Sequence, residues 1–121
     1  MSAPTRFQQL AADAKSRIQE ISPADAAREV QEKGALLIDV RETEEWRQEH
    51  AKGAQHLSRG IIEVEIEDRV SDPATPIICY CGGGSRSALV ADNLQKMGYT
   101  NVKSMSGGFR GWKQANLPVA P

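Results

Sequence analysis

The chain has 121 residues, 40% of them hydrophobic, with 15 Lys and Arg against 16 Asp and Glu and a formal net charge of −1. A chain of that length makes one domain that buries roughly two-thirds of its unfolded surface. Scattered, balanced charge leaves no electrostatic case for nucleic acid or an anionic membrane. No apolar stretch approaches the roughly 20 residues of a membrane helix. The opening Met1 to Leu10 lacks the apolar centre of a secretory signal, which predicts a cytoplasmic protein. Cys79 and Cys81 are too few and too close for a disulfide framework. With only His50 and His56 elsewhere, Cys-x-Cys makes no convincing metal site, so no metal is expected.

Residues 4–17 read as an amphipathic helix, with Phe7, Leu10, Ala11, Ala14 and Ile18 on one stripe. It packs on its own domain or against a second copy or partner. Gln19–Ile21 reads as a short edge strand. A helix follows, with Ser22 as N-cap, Pro23 at its first position, Asp25 in the capping-box place and Gly34 at its end. Ala35–Asp39 is an apolar run between turn signals, hence a buried strand. Thr43 caps a helix running to about His50, and Ala54–Leu57 is a further strand.

Residues 60–70 fit either a strand (Ile62, Val64, Ile66) or a helix (Ile62, Ile66, Val70). Asp72-Pro73 and Thr75-Pro76 break the chain ahead of Ile77–Tyr80, apolar on both faces as a central parallel strand requires. Ser87–Met97 is a helix with Val90, Ala91, Leu94 and Met97 inward, stopped by Gly98. Val102–Met105 is the last strand and Gly108–Ala115 the closing helix. Strand and helix alternate, so the fold class is α/β with a parallel sheet.

In open parallel sheets, ligands bind beyond the carboxyl ends of the strands. Cys81 stands at such an end, in Cys81-Gly82-Gly83-Gly84-Ser85-Arg86-Ser87. The glycines let the backbone curl and aim N–H groups at one point, and the helix behind adds its positive end. Such surroundings can lower a thiol from about 8.5 to roughly 3.5–7.5. Cys81 is therefore the candidate nucleophile, with Gly82, Gly83, Gly84, Ser85, Arg86 and Ser87 as its anion-holding loop. Arg86 either contacts an anionic substrate or braces the loop against a carboxylate, and the helix start already supplies positive potential, which favours bracing. Arg59 follows a strand on the same edge; it either reaches the pocket or is an ordinary surface arginine. Cys79 lies inside the apolar run and reads as structural, with a resolving disulfide to Cys81 as the alternative.

Cys-x-x-Gly-x-Arg-Ser behind a hydrophobic strand resembles the active-site loop of the rhodanese (sulfurtransferase) family. Four further matches fall in the family's order: Asp39-Val40-Arg41, Glu45-Trp46, His50-Ala51-Lys52-Gly53-Ala54, and Gly107-Gly108-Phe109-Arg110-Gly111-Trp112. The resemblance spans about residues 19 to 117. It implies a helical extension over 1–18 and a rhodanese-like domain over 19–121, with a mostly parallel five-stranded sheet and helices on both faces. The implied activity moves a sulfane sulfur from thiosulfate or a similar donor to cyanide or a thiol through a persulfide on Cys81, with no cofactor. The partners so implied are a small-molecule donor and acceptor, with a thiol protein as a further acceptor; nucleic acid and membrane are not among them. It also implies that Asp39 and Arg41 organise loops, and Trp46, His50 and Trp112 read as packing residues. Some family members carry a basic residue two places after the cysteine. Gly83 stands there, which predicts weak thiosulfate binding.

Two rival functions remain. A cysteine phosphatase or arsenate reductase places five residues between Cys and Arg, whereas Gly82 to Ser85 make four. A non-catalytic rhodanese-like interaction module typically lacks the cysteine, which is present here.

Overall fold

The computed structural model describes residues 3–121. Five strands form the main sheet: β1 (Gln19–Ile21), β2 (Leu36–Asp39), β4 (Gln55–His56), β5 (Ile77–Tyr80) and β6 (Val102–Met105). Their order is β1-β6-β5-β2-β4, and every neighbouring pair is parallel. β5 sits centrally, with Ile78 in register with Leu37 on one side and Lys103 on the other.

Strand side chains alternate between two cores, as the two-residue period demands. Ile77 and Cys79 enter one apolar cluster with Ile62 and Ile66 of α4 (Ile62–Arg69) and Val90 and Leu94 of α5 (Ser85–Lys96). Ile78 and Tyr80 enter the other, with Ala26 of α2 (Pro23–Lys33) and Phe109 and Trp112 of α6 (Gly108–Gln114). The ambiguous segment over 60–70 thus resolves as the helix α4, because Ile62 and Ile66 share one buried face. Ser22 caps α2 by accepting the Asp25 N–H at 3.2 Å, while the Asp25 carboxylate turns to Arg28.

Five local expectations are corrected. α3 (Thr43–Gln48) is capped by Glu42, not Thr43, and the Glu42 N–H bonds Glu45 Oε1 at 3.0 Å. α3 also stops short of His50, because His50–Ala51 (β3) pairs antiparallel with Val119–Ala120 (β7). α5 starts at Ser85 rather than Ser87, since Gly84 takes φ +107° and caps it two residues earlier. Met97 is 37% exposed; the inward place goes to Tyr99, whose hydroxyl donates to Val70 O at 2.6 Å.

The fifth correction concerns α1 (Arg6–Lys15), of whose expected stripe Phe7 and Leu10 are 43% and 54% exposed. The buried positions of α1 are instead the small Ala11 and Ala14, and Ala14 packs with Ala88 and Leu89 of α5. Among the described residues no helix is long and apolar enough to cross a membrane.

Candidate active site

Cys81 follows β5 directly at the carboxyl edge of the sheet and is 1% exposed. Gly84 N–H donates to Cys81 Sγ at 3.1 Å and Ser87 N–H at 3.4 Å. The Ser87 hydroxyl lies 3.5 Å from the same sulfur and 2.8 Å from the hydroxyl of Ser104 on β6. When Sγ is a thiolate it can only accept, so the pair is directional: Ser104 O–H donates to Ser87, and Ser87 O–H donates to sulfur. Burial pushes the Cys81 thiol up. Hydrogen bonds from the Ser87 hydroxyl and from the amides of Ser87, Gly84 and Gly83 outweigh it and hold the group below the ordinary thiol value.

Amides point inward at Sγ only if the loop's carbonyls are held outward. α6 holds them: Phe109 N–H donates to Cys81 O at 2.7 Å and Arg110 N–H to Gly82 O at 3.2 Å. That approach requires Gly108. Its φ is +57°, and a Cβ there would lie 2.5 Å from Cys81 O and 2.6 Å from the Gly82 carbonyl carbon.

Phe109 is fixed in turn by a buried ion pair. Arg41 Nη2 lies 2.8 Å from Asp39 Oδ2, and its guanidinium carbon sits 4.5 Å from the centre of the Phe109 ring. Arg41 also donates to Glu49 O at 2.7 Å, tying the end of α3 to the same corner.

A rhodanese-like domain model matches residues 22–115 of this sequence. The chain belongs to the rhodanese family. It is 41% identical over 100 residues to the thiosulfate sulfurtransferase GlpE of Haemophilus influenzae, an alignment covering 83% of this chain and 92% of the relative. Among solved structures, the polysulfide-sulfur transferase homodimer of Wolinella succinogenes superposes with a TM-score of 0.81 at 28% identity, covering 94% of this chain and 86% of that one. A protein of unknown function from Rhodopseudomonas palustris, described as a possible tyrosine phosphatase, gives a TM-score of 0.82 at 27% identity over 99% of this chain and 98% of that one.

In this rhodanese the loop predicted from sequence converges as a unit. Gly84 and Ser87 donate to the sulfur, Gly82 offers its carbonyl to α6, Gly83 is exposed at the tip, and Ser85 opens α5. Arg86 is paired with a carboxylate: its Nη1 and Nη2 meet Glu45 Oε1 and Oε2 at 2.7 and 3.1 Å. Arg59 stands apart from that group. It is exposed and lines a groove with Leu10, Arg17 and Leu89 that contains no residue of the 81–87 loop.

Cys79 is fully buried, and burial, with the neighbouring Cys81 adding to it, pushes its thiol up to about 12. Trp46 stacks between the rings of His50, at 3.5 Å, and His56, at 5.1 Å. His56 Nε2 bonds Arg41 O at 2.8 Å and Trp112 Nε1 donates to Pro118 O at 2.7 Å, so these side chains hold structure in place.

Sequence reasoning missed Ser104, Gly108 and the named partner of Arg86. Ser104 carries a readable signal, a hydroxyl on the same buried phase of its strand as Val102. Gly108 sits within a quoted motif, but its contact with Cys81 O joins segments far apart in the chain.

Proposed function

We propose that this rhodanese transfers a sulfane sulfur through Cys81. The thiolate attacks the outer sulfur of an anionic donor such as thiosulfate; the new bond is Sγ–S, and the bond to the sulfonate sulfur breaks. Sulfite leaves with that electron pair, and Cys81 carries a persulfide anion. Cyanide or a thiolate then takes the outer sulfur, returning the electron pair to Sγ, so the double displacement needs no metal or organic cofactor. The observation that carries this reading is the convergence of the Gly84 N–H, Ser87 N–H and Ser87 hydroxyl on one buried sulfur. Fixed dipoles stabilise thiolate and persulfide without reorganising during the reaction. A small-molecule acceptor, or the thiol of a partner protein, in the cytoplasm fits this chemistry.

The phosphatase reading is weaker on two counts. Four residues separate Cys81 from Arg86, a short ring for a tetrahedral phosphate. The guanidinium that a phosphatase would turn to phosphate is engaged by Glu45. A non-catalytic module has no use for a lowered thiol.

Intact-protein mass spectrometry after exposure to thiosulfate tests the proposal. One added sulfur atom is expected on Cys81, removable by cyanide or a thiol. Cys81→Ser is expected to abolish both the mass gain and thiocyanate formation. Sulfur found on Cys79 alone would overturn the assignment.

A further inference from the structure

Four cations cluster near the Cys81 corner, and three are already engaged. Arg41 pairs with Asp39, Arg86 with Glu45, and Lys113 with Glu49. Arg110 is exposed, and among the described residues no carboxylate pairs with its guanidinium. Its backbone is fixed, because its N–H donates to Gly82 O at 3.2 Å.

The Arg110 side chain lies over the loop tip. A Cβ built on Gly83 would run into its Nη2 and come within 3.5 Å of its Cζ, and would meet no other group. Gly83 is not among the glycines at positive φ, so its backbone would accept a side chain; the space is simply taken by a guanidinium from α6. The Gly83 amide is one of the groups that lower the Cys81 thiol, so this guanidinium sits beside a donor facing the sulfur.

We propose that Arg110 is the binding residue for the oxyanion group of the sulfur donor, a guanidinium brought from α6 to the place beside Gly83 where some relatives carry a basic loop residue. The idea rests on the sulfurtransferase reading and extends it to the donor's chemical class. As Sγ takes the outer sulfur, the S–S bond of the donor breaks and the electron pair leaves on sulfite, whose charge Arg110 holds. A planar guanidinium suits that task, since two N–H groups can address two oxygens. Sulfur delivery from the persulfide to a neutral acceptor leaves nothing for Arg110 to hold.

The test compares Cys81 labelling by iodoacetate, which is anionic, and iodoacetamide, its neutral counterpart, alongside single-turnover sulfur loading from thiosulfate. Arg110→Ala, which keeps the N–H to Gly82 O, is expected to slow thiosulfate loading and iodoacetate labelling about ten-fold, the worth of one charge-assisted hydrogen bond. Iodoacetamide labelling, and sulfur delivery from preloaded enzyme to dithiothreitol, are expected to hold. Gly83→Lys added to Arg110→Ala puts a cation into the same space from the loop side and is expected to restore the iodoacetate-to-iodoacetamide ratio.

An unchanged ratio in Arg110→Ala overturns the proposal, as does an equal loss with both reagents or a double variant that stays at the single variant's ratio. Wild-type protein that takes no sulfur from thiosulfate would overturn thiosulfate as the donor in the proposed function. The labelling ratio would still show whether Arg110 holds an anion beside Cys81.

Discussion

At the scale of single residues, acidity at Cys81 is a contest between burial and hydrogen bonding, and the Ser87 hydroxyl is one of the opposing bonds. Because the thiol is held below its ordinary value, the thiolate that reacts is populated from a lower pH upward. Ser87→Ala removes one donor while keeping the Ser87 N–H. The midpoint of the pH–rate profile for iodoacetamide labelling is expected to move up, toward that of a free thiol, with a several-fold slower rate on its acid side. Ser104→Ala is expected to move it the same way by less, since Ser104 acts through Ser87. A profile left in place by Ser87→Ala would mean that backbone amides alone set the acidity. Part of this was legible: Cys81, the glycines and a carboxylate partner for Arg86 follow from local pattern. Ser104 was not, because its function depends on which strand lies beside β5.

At the scale of elements, the sequence is most readable where signals are local. Apolar runs that follow Gly34 and Pro76 mark β2 and β5, and Ser22 with Pro23 marks the start of α2. It is least readable where two short segments make each other. β3 and β7 have two residues apiece and no pattern of their own; pairing of His50 with Ala120 creates both. The contact of α6 with the active loop is of the same non-local kind and yields a sharp prediction. Gly108→Ala is expected to cost at least about 1–2 kcal/mol from its left-handed conformation alone. Its Cβ also displaces the Cys81 and Gly82 carbonyls, and a misplacement of about 1 Å can cost on the order of a hundredfold in rate. Thiocyanate formation and urea unfolding of the same preparation separate the two effects. Sulfur transfer at the wild-type rate in the folded variant would show that α6 does not aim the loop.

Across the whole molecule, the sheet carries a core on each face, and α1 closes over the outside of α5. Arg17, just beyond α1, secures that closure by bonding Asp92 through Nε at 3.1 Å and Nη2 at 2.8 Å. The Asp92 side chain is only 8% exposed, and the Arg17 hydrogen bonds hold its carboxyl below the usual value against the opposing push of burial. A lowered acid contributes stability that is complete above the unfolded-chain value, near about 3.9, and is lost as pH falls through the folded one. Arg17→Ala is therefore expected to lower the urea midpoint near neutral pH and to matter less in acid, where Asp92 is already protonated. An equal loss at both pH values would assign the effect to packing rather than charge.

The grip of α6 on the Cys81 carbonyl also has a consequence in time. The strand, loop and helix around Cys81 precede Phe109 and Arg110 in the chain, so they are made first. Until those two amides arrive, nothing holds the loop's carbonyls outward, and the sulfur has the acidity of any free cysteine. Its thiolate, and with it exposure to stray oxidants and disulfides, is withheld from the growing chain. The final helix of the chain is the one that holds the loop in the form that makes the cysteine reactive.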